Sequence, residues 1–217
     1  MRMDLRKLRY IVIEGPIGAG KTSLARQLAH HVDGRTLLER PEDNPFLARF
    51  YEDMPRYALP TQLTFLFQRV DQLRNVSQPD LFQHTTVADF LLDKDPLFAR
   101  LNLTDAEFAL YQKVWAQLRL EAPAPDLVIY LQAPVETLID RVHRRGVHFE
   151  RTITAHYLAR IADAYSRYFY SYADAPLLIV NSERLNFVDD PDHFDLLRAR
   201  IGAMRSQREF FNLGQAA

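Results

Sequence analysis

The most pointed chemistry in this sequence sits in Gly15-Pro16-Ile17-Gly18-Ala19-Gly20-Lys21-Thr22, which matches the spacing G-x-x-x-x-G-K-[ST], with Ser23 directly behind it. Glycines at these places let the backbone turn around an anion with its amides pointing inward, and a following helix adds the positive end of its dipole. Lys21 then reaches the outer phosphates of a nucleotide, and Thr22 is placed to ligate Mg²⁺. With seven Gly and four Lys among 217 residues, roughly 3 × 10⁻⁴ such matches are expected by chance. The segment therefore reads as a nucleotide-phosphate cradle spanning residues 15 to 23.

Phosphoryl transfer asks for more: a base near the acceptor hydroxyl, a metal ligand, and cations to neutralise the moving charge. Glu39 closes the run Arg35 to Glu39, where a carboxylate at a strand's carboxyl end can reach a substrate beside the cradle; the plainer reading is a solvated strand end. Asp89 closes Thr85 to Asp89 and suits a direct or indirect Mg²⁺ ligand, or else a simple cap. Arg141, Arg144, Arg145 and Arg151 crowd around Gly146, a helix breaker. They read as a lid over a triphosphate, or as cations offsetting a helix dipole. A GTPase switch is excluded. The lysines follow Arg6, Gly20, Asp93 and Gln112, so there is no N-K-x-D, and no aspartate stands three residues before a glycine.

Short β-branched runs alternate with stretches of helical period, the signature of βαβ units. Five strands are predicted: Tyr10 to Glu14, Arg35 to Glu39, Thr85 to Asp89, Leu127 to Leu131 and Leu177 to Val180. A helix is expected over Ser23 to His31, with Leu24 and Leu28 on its inner face. Thr104-Asp105-Ala106-Glu107 reads as a capping box, and Pro134 and Pro191 suit first helical turns. Glu121 to Pro125 reads as a stiff connector. The implied fold is α/β, a five-stranded parallel sheet with helices on both faces and an arginine-rich lid, in one domain over residues 1–217.

Composition narrows the partners. With 27 basic and 28 acidic side chains the formal charge is −1, which argues against a general binder of nucleic-acid polymers. No cysteine is present, so thiol chemistry and cysteine-bound zinc drop out, and the histidines lack H-x-x-x-H spacing. The basic start is followed only by Ile11, Val12 and Ile13 before Glu14, too short for a signal peptide, and no run approaches a membrane span. A cytoplasmic protein without membrane partners is expected.

Taken together, Ile13 to Thr22 and Glu39-Arg40-Pro41-Glu42-Asp43-Asn44-Pro45-Phe46 resemble the opening and the E-P-V-x-x-N-P segment of the deoxynucleoside kinase family, particularly its bacterial deoxyadenosine/deoxyguanosine kinase branch. The resemblance spans nearly the whole chain. It implies a P-loop kinase that moves the γ-phosphoryl group of ATP·Mg²⁺ to a deoxynucleoside 5′-hydroxyl, and a homodimer. It implies Glu39 as the base, with Asp89 on Mg²⁺. Tyr51 and Glu150 would hold the 3′-hydroxyl, Gln62 and Arg69 would read the base, Phe98 would stack on it, and Arg144 and Arg145 would belong to the lid. For Phe65 and Phe67, core packing is expected instead. Asn181 and Asn186 would stand in the loop over the ATP adenine, where the family usually has aspartates. The family's D/E-R-S triplet appears here as Asp89-Phe90-Leu91, so either another arginine contacts the base carboxylate or none does. Val147 stands where a further lid arginine is frequent. Two rivals share the cradle. A nucleoside monophosphate kinase of the thymidylate type would want cations where Glu39 stands, and a non-catalytic ATP-binding regulator would respond to no nucleoside.

Overall fold

Six apolar segments pair in parallel. The computed structural model describes residues 3–76, 84–118, 124–187 and 190–213. Its strands are β1 (Tyr10–Glu14), β2 (Arg35–Leu37), β3 (Thr86–Ala88), β4 (Leu127–Gln132), β5 (Leu177–Asn181) and β6 (Arg208–Asn212), in the order β2-β3-β1-β4-β5-β6. Every residue of β1 and the first five of β4 are buried. Because successive side chains point to opposite faces, both faces of the sheet centre are covered, which explains their unbroken Val/Ile/Leu runs. The helices are α1 (Lys21–His31), α2 (Leu47–Glu52), α3 (Met54–Val76), α4 (Asp95–Asn102), α5 (Asp105–Leu118), α6 (Val135–Arg145), α7 (Ala155–Ser171) and α8 (Pro191–Ala203).

The expected strand count of five is corrected to six. β6 escaped notice because its sequence, Arg-Glu-Phe-Phe-Asn, carries only two apolar residues and lies half-exposed at the sheet edge, where it pairs with β5 from Leu177↔Arg208 to Asn181↔Asn212. β2 and β3 are each shorter than expected. Beyond Leu37 the Glu39 backbone N–H turns to the Asp89 carboxylate at 2.8 Å, while the Asp89 amide still donates to the Leu37 carbonyl at 3.2 Å.

Local signals hold where they were read. Thr104 and Glu107 form the reciprocal cap of α5, the Thr104 N–H donating to Glu107 Oε2 at 2.9 Å. Pro191 opens α8, whereas Pro134 lies one place ahead of α6. Gly146 ends α6 in the left-handed region at φ 70°. Residues 121–123 of the expected connector lie outside the described residues. Among the described residues no helix is long and apolar enough to cross a membrane.

β1 has its partners on opposite sides: β3 and then β2 on one, β4, β5 and β6 on the other. In an open parallel sheet, the carboxyl end at such a switch point is where a crevice forms. The cradle leaves β1 there.

Candidate active site

The cradle is built by close approach. A β-carbon on Gly18, whose φ is 85°, would come within 2.6 Å of the Leu138 carbonyl of α6, so only glycine lets the loop touch that helix. α1 starts at Lys21 behind a Gly20 N-cap that supplies no side-chain acceptor, which leaves its first amides for an anion. Lys21 Nζ donates to the Pro16 carbonyl at 3.2 Å across the mouth of the loop. Burial and the nearby Lys94 ammonium lower its pKa, the state that a phosphate anion would reverse.

A cavity of about 970 Å³ opens beside the cradle. Residues 15 and 17–23 line it, together with Glu39, Tyr51, Gln62, Arg69, Asp89, Phe98, Arg144, Arg145 and Glu150. Pro16 of the cradle is off the wall and contributes its carbonyl to Lys21. The volume is at the upper end of ordinary ligand pockets, room for two nucleoside-sized molecules end to end.

Thr22 Oγ1 donates to Asp89 Oδ2 at 2.5 Å, and Asp89 is buried. Burial and the Glu39 charge raise the Asp89 pKa against its hydrogen bonds from Thr22 and the Glu39 amide. Two hard oxygen donors next to a phosphate cradle fit Mg²⁺, which takes one or two protein ligands and completes its shell with phosphates and water. Among the described residues no group of three acidic or histidine side chains could hold a metal alone.

Glu39 sits in a cationic setting. Arg69 donates to its Oε1 from Nε at 2.7 Å and Nη2 at 2.5 Å, and Lys94 Nζ approaches the same oxygen at 3.5 Å. Burial alone would raise this carboxyl, but Arg69, Lys94 and Lys21 outweigh it and hold its pKa at about 2. An arginine does therefore contact this carboxylate. It is Arg69, expected as a base reader, whose other end pairs with Asp95. Asp95 also accepts from Gln62 Nε2 at 2.8 Å and from the Tyr111 hydroxyl at 2.5 Å.

Elsewhere on the cavity wall Tyr51 stacks near Phe149, ring centroids 6.4 Å apart, and Arg145 pairs with the buried Glu150. Burial, Tyr157 and then Glu150 push the Tyr51 hydroxyl's pKa well up, so it is a neutral donor at the cavity wall. Of the lid cations, Arg141, Arg144 and Arg145 line the cavity and Arg151 does not. Arg141 is pinned to the loop after β5, donating to the Ser182 carbonyl at 2.6 Å and to that of Leu185 at 3.1 Å. Asn186 lines the cavity; Asn181 instead accepts from the Glu183 amide and donates to Asn212.

Core packing holds for Phe65 and fails for Phe67. Phe67 is 47% exposed, whereas Phe65 packs against the core and also lines the cavity, with the Arg69 guanidinium 5.2 Å from its ring centroid. Glu14, Lys94 and Tyr165 were missed altogether. Glu14 is fully buried and accepts from the Gly15 N–H, the Leu91 N–H, the Tyr165 hydroxyl and Lys94. In sequence it is just the polar end of an apolar run.

Residues 11–204 match the family model for deoxynucleoside kinase. A deoxyguanosine kinase of Bacillus subtilis (strain 168) is 31% identical over 197 residues, covering 88% of this chain and 95% of that protein. A deoxyadenosine kinase of Lactobacillus acidophilus is 30% identical over 195 residues, covering 83% and 89%. Among solved structures, deoxyadenosine kinase from M. mycoides with bound dATP superposes with a TM-score of 0.76 at 24% identity, covering 89% of this chain and all of that one.

Proposed function

Because the chain belongs to the deoxynucleoside kinase family, it is an enzyme that phosphorylates deoxynucleosides, and we propose how its residues divide that work. The cradle of residues 15–23 holds the phosphates of ATP, with Lys21 on the transferred group and Thr22 and Asp89 on Mg²⁺. Bound there, Mg²⁺ would offset phosphate charge. Glu39 receives the proton of the 5′-hydroxyl, and Arg144 and Arg145 cover the donor from the lid. The observation that carries this reading is the placement of Glu39 and Lys21 on one cavity, close enough for Lys21 to act on the Glu39 charge. A carboxylate at this place would repel an acceptor phosphate, which favours a nucleoside over a nucleoside monophosphate. A regulator without acceptor chemistry has no use for that carboxylate.

Tyr51 and Glu150 on the cavity wall support a deoxyribose seat, and Gln62, turned by Asp95, supports an amide that reads the base, with Phe98 against its face. Gln62 spends its NH₂ on Asp95, so its oxygen is left to accept from a base amine. Adenine, guanine and cytosine carry such an amine and thymine does not. The names of the two bacterial relatives tip the choice to purines. In ADP release against a panel of nucleosides and monophosphates, purine deoxynucleosides are expected first, deoxycytidine next and thymidine last, with deoxyadenosine well above adenosine. Thymidine above both purines would refute the base order. Equal kcat/KM for adenosine and deoxyadenosine would remove the sugar seat, and a monophosphate as the best acceptor would overturn the reading as a whole. Exposed Phe67 on α3 and Leu110 on the adjoining α5 offer apolar surface for the homodimer.

The low pKa of Glu39 sets a pH expectation. A depressed carboxyl stays ionised as pH falls until its own pKa is neared, so with MgATP saturating, kcat/KM for the nucleoside should show no acid limb from Glu39 between about pH 5 and 8. The same ionised carboxylate contributes stability that is present above its unfolded pKa and lost as pH drops toward 2. An acid limb inside that window that vanishes in Glu39→Gln would show a much more basic carboxylate.

A further inference from the structure

Lys94 is 2% exposed, and burying an ammonium costs heavily unless it is paired. Its Nζ lies 3.0 Å from Glu14 Oε1 and 3.5 Å from Glu39 Oε1, and it lines the cavity. Glu14 is an anchor. Four donors hold it: the Gly15 amide at the root of the cradle, the Leu91 amide behind β3, the Tyr165 hydroxyl of α7, and Lys94 itself. Lys94 therefore hangs from a fully buried carboxylate that three other donors hold, and reaches the one beside the acceptor.

The backbone adds a second constraint. Lys94 ends a 3₁₀ turn, Leu92–Lys94, and the next residue, Asp95, begins α4 and pairs with Arg69, which grips Glu39. Lys94, Glu39, Arg69 and Asp95 thus form a closed ring, completed by the Lys94–Asp95 peptide bond. Both cations land on Oε1 of Glu39, which leaves Oε2 as the oxygen for the acceptor proton. Arg69 alone could swing this carboxylate about its own axis; a second cation on the same oxygen from the other side of the ring fixes its rotation.

We propose that Lys94, anchored by Glu14, is a positioning residue for the transfer step: it locks the rotation of the Glu39 carboxylate and ties that carboxylate to the root of the phosphate cradle. The proposal rests on Glu39 as the proton acceptor. A misplacement on the order of 1 Å at a reacting group costs ~10²-fold in rate. The loss therefore falls on kcat, while ATP still meets an intact cradle.

The purely structural alternative is that Lys94 merely neutralises a buried Glu14, and the two are separable. Removing one partner of a buried pair strands the other charge, whereas removing both can be nearly neutral for stability. Glu14→Gln/Lys94→Met does the latter and keeps the side-chain lengths. The double variant is expected to melt near the wild-type temperature, with kcat for the best deoxynucleoside of the panel about 100-fold lower and KM for ATP within about threefold. Lys94→Arg, which retains a cation, should recover a large part of kcat. In the Glu39→Gln background the same double should lower kcat less than about threefold further, since the group it positions is already disabled. A double variant with wild-type kcat, or a loss that multiplies in full on Glu39→Gln, overturns the proposal. If the double does not fold, Lys94→Met is read by the same criteria, and unchanged kcat there overturns it equally. Wild-type kcat in Glu39→Gln itself would instead remove the base assignment, and this role with it; a collapsed Glu39→Gln beside a fully active double overturns the role of Lys94 alone.

Discussion

Lys21→Ala is expected to abolish measurable phosphoryl transfer, a loss of ~10³-fold or more in kcat, with the thermal transition little changed. Lys21 is half-buried at the mouth of the cradle, where its ammonium faces the Pro16 carbonyl and the charges of Glu39 and Asp89. In such a site, shielded from water, a fixed cation on the transferred group is worth far more than in solution, and a factor of 10³ corresponds to about 4 kcal/mol of barrier. Stability is spared because alanine removes a desolvated cation held by one carbonyl, and no apolar core packing goes with it. Steady-state ADP release and a melting curve on the same preparation decide the matter. Activity within a few fold of wild type would detach the cradle from the chemistry.

Glu39→Gln should lower kcat by ~10² to 10⁴ with ATP affinity nearly unchanged. The amide keeps the shape of the side chain but cannot take a proton, and Arg69 can still donate to its oxygen. The low pKa of Glu39 makes it a weak base. That suits a loose phosphoryl-transfer transition state, in which the acceptor proton leaves late and the carboxylate serves first to orient the hydroxyl. Asp89→Asn provides the contrast. It disturbs Thr22 and the Mg²⁺ site, so its loss should be relieved in part by raised Mg²⁺. If Asp89→Asn abolishes the pH dependence while Glu39→Gln keeps its rate, the two acids exchange roles.

The cradle was legible because its chemistry is contiguous: eight residues and the start of one helix specify the loop. Glu39 and Asp89 were legible because each closes a short apolar run, and a parallel sheet brings such ends together at its switch point. The ion-pair network was not. Glu14, Glu39, Arg69 and Lys94 come from four separate segments, and no local period marks a cation that will be buried between two acids. Phe67 misled for a geometric reason: two positions from Phe65 on one helix, it points to a different side, so the two could not share one core face. β6 was lost because an edge strand needs no strong apolar pattern to be held by its neighbour's backbone.

The place of β1 in the sheet bears on how the molecule is made. It precedes the other five strands of the sheet in the chain, yet it lies in the centre, between strands that begin at residues 86 and 127. At ~5–20 residues per second, its apolar Tyr10 to Ile13 waits on the order of 10 s for its second neighbour to be translated. Glu14 waits as well, and its donors Leu91, Lys94 and Tyr165 come from three later stretches of chain. The nascent N-terminal third thus carries the entire phosphate cradle without the sheet that shapes it, a period in which chaperones and aggregation compete for the same strand.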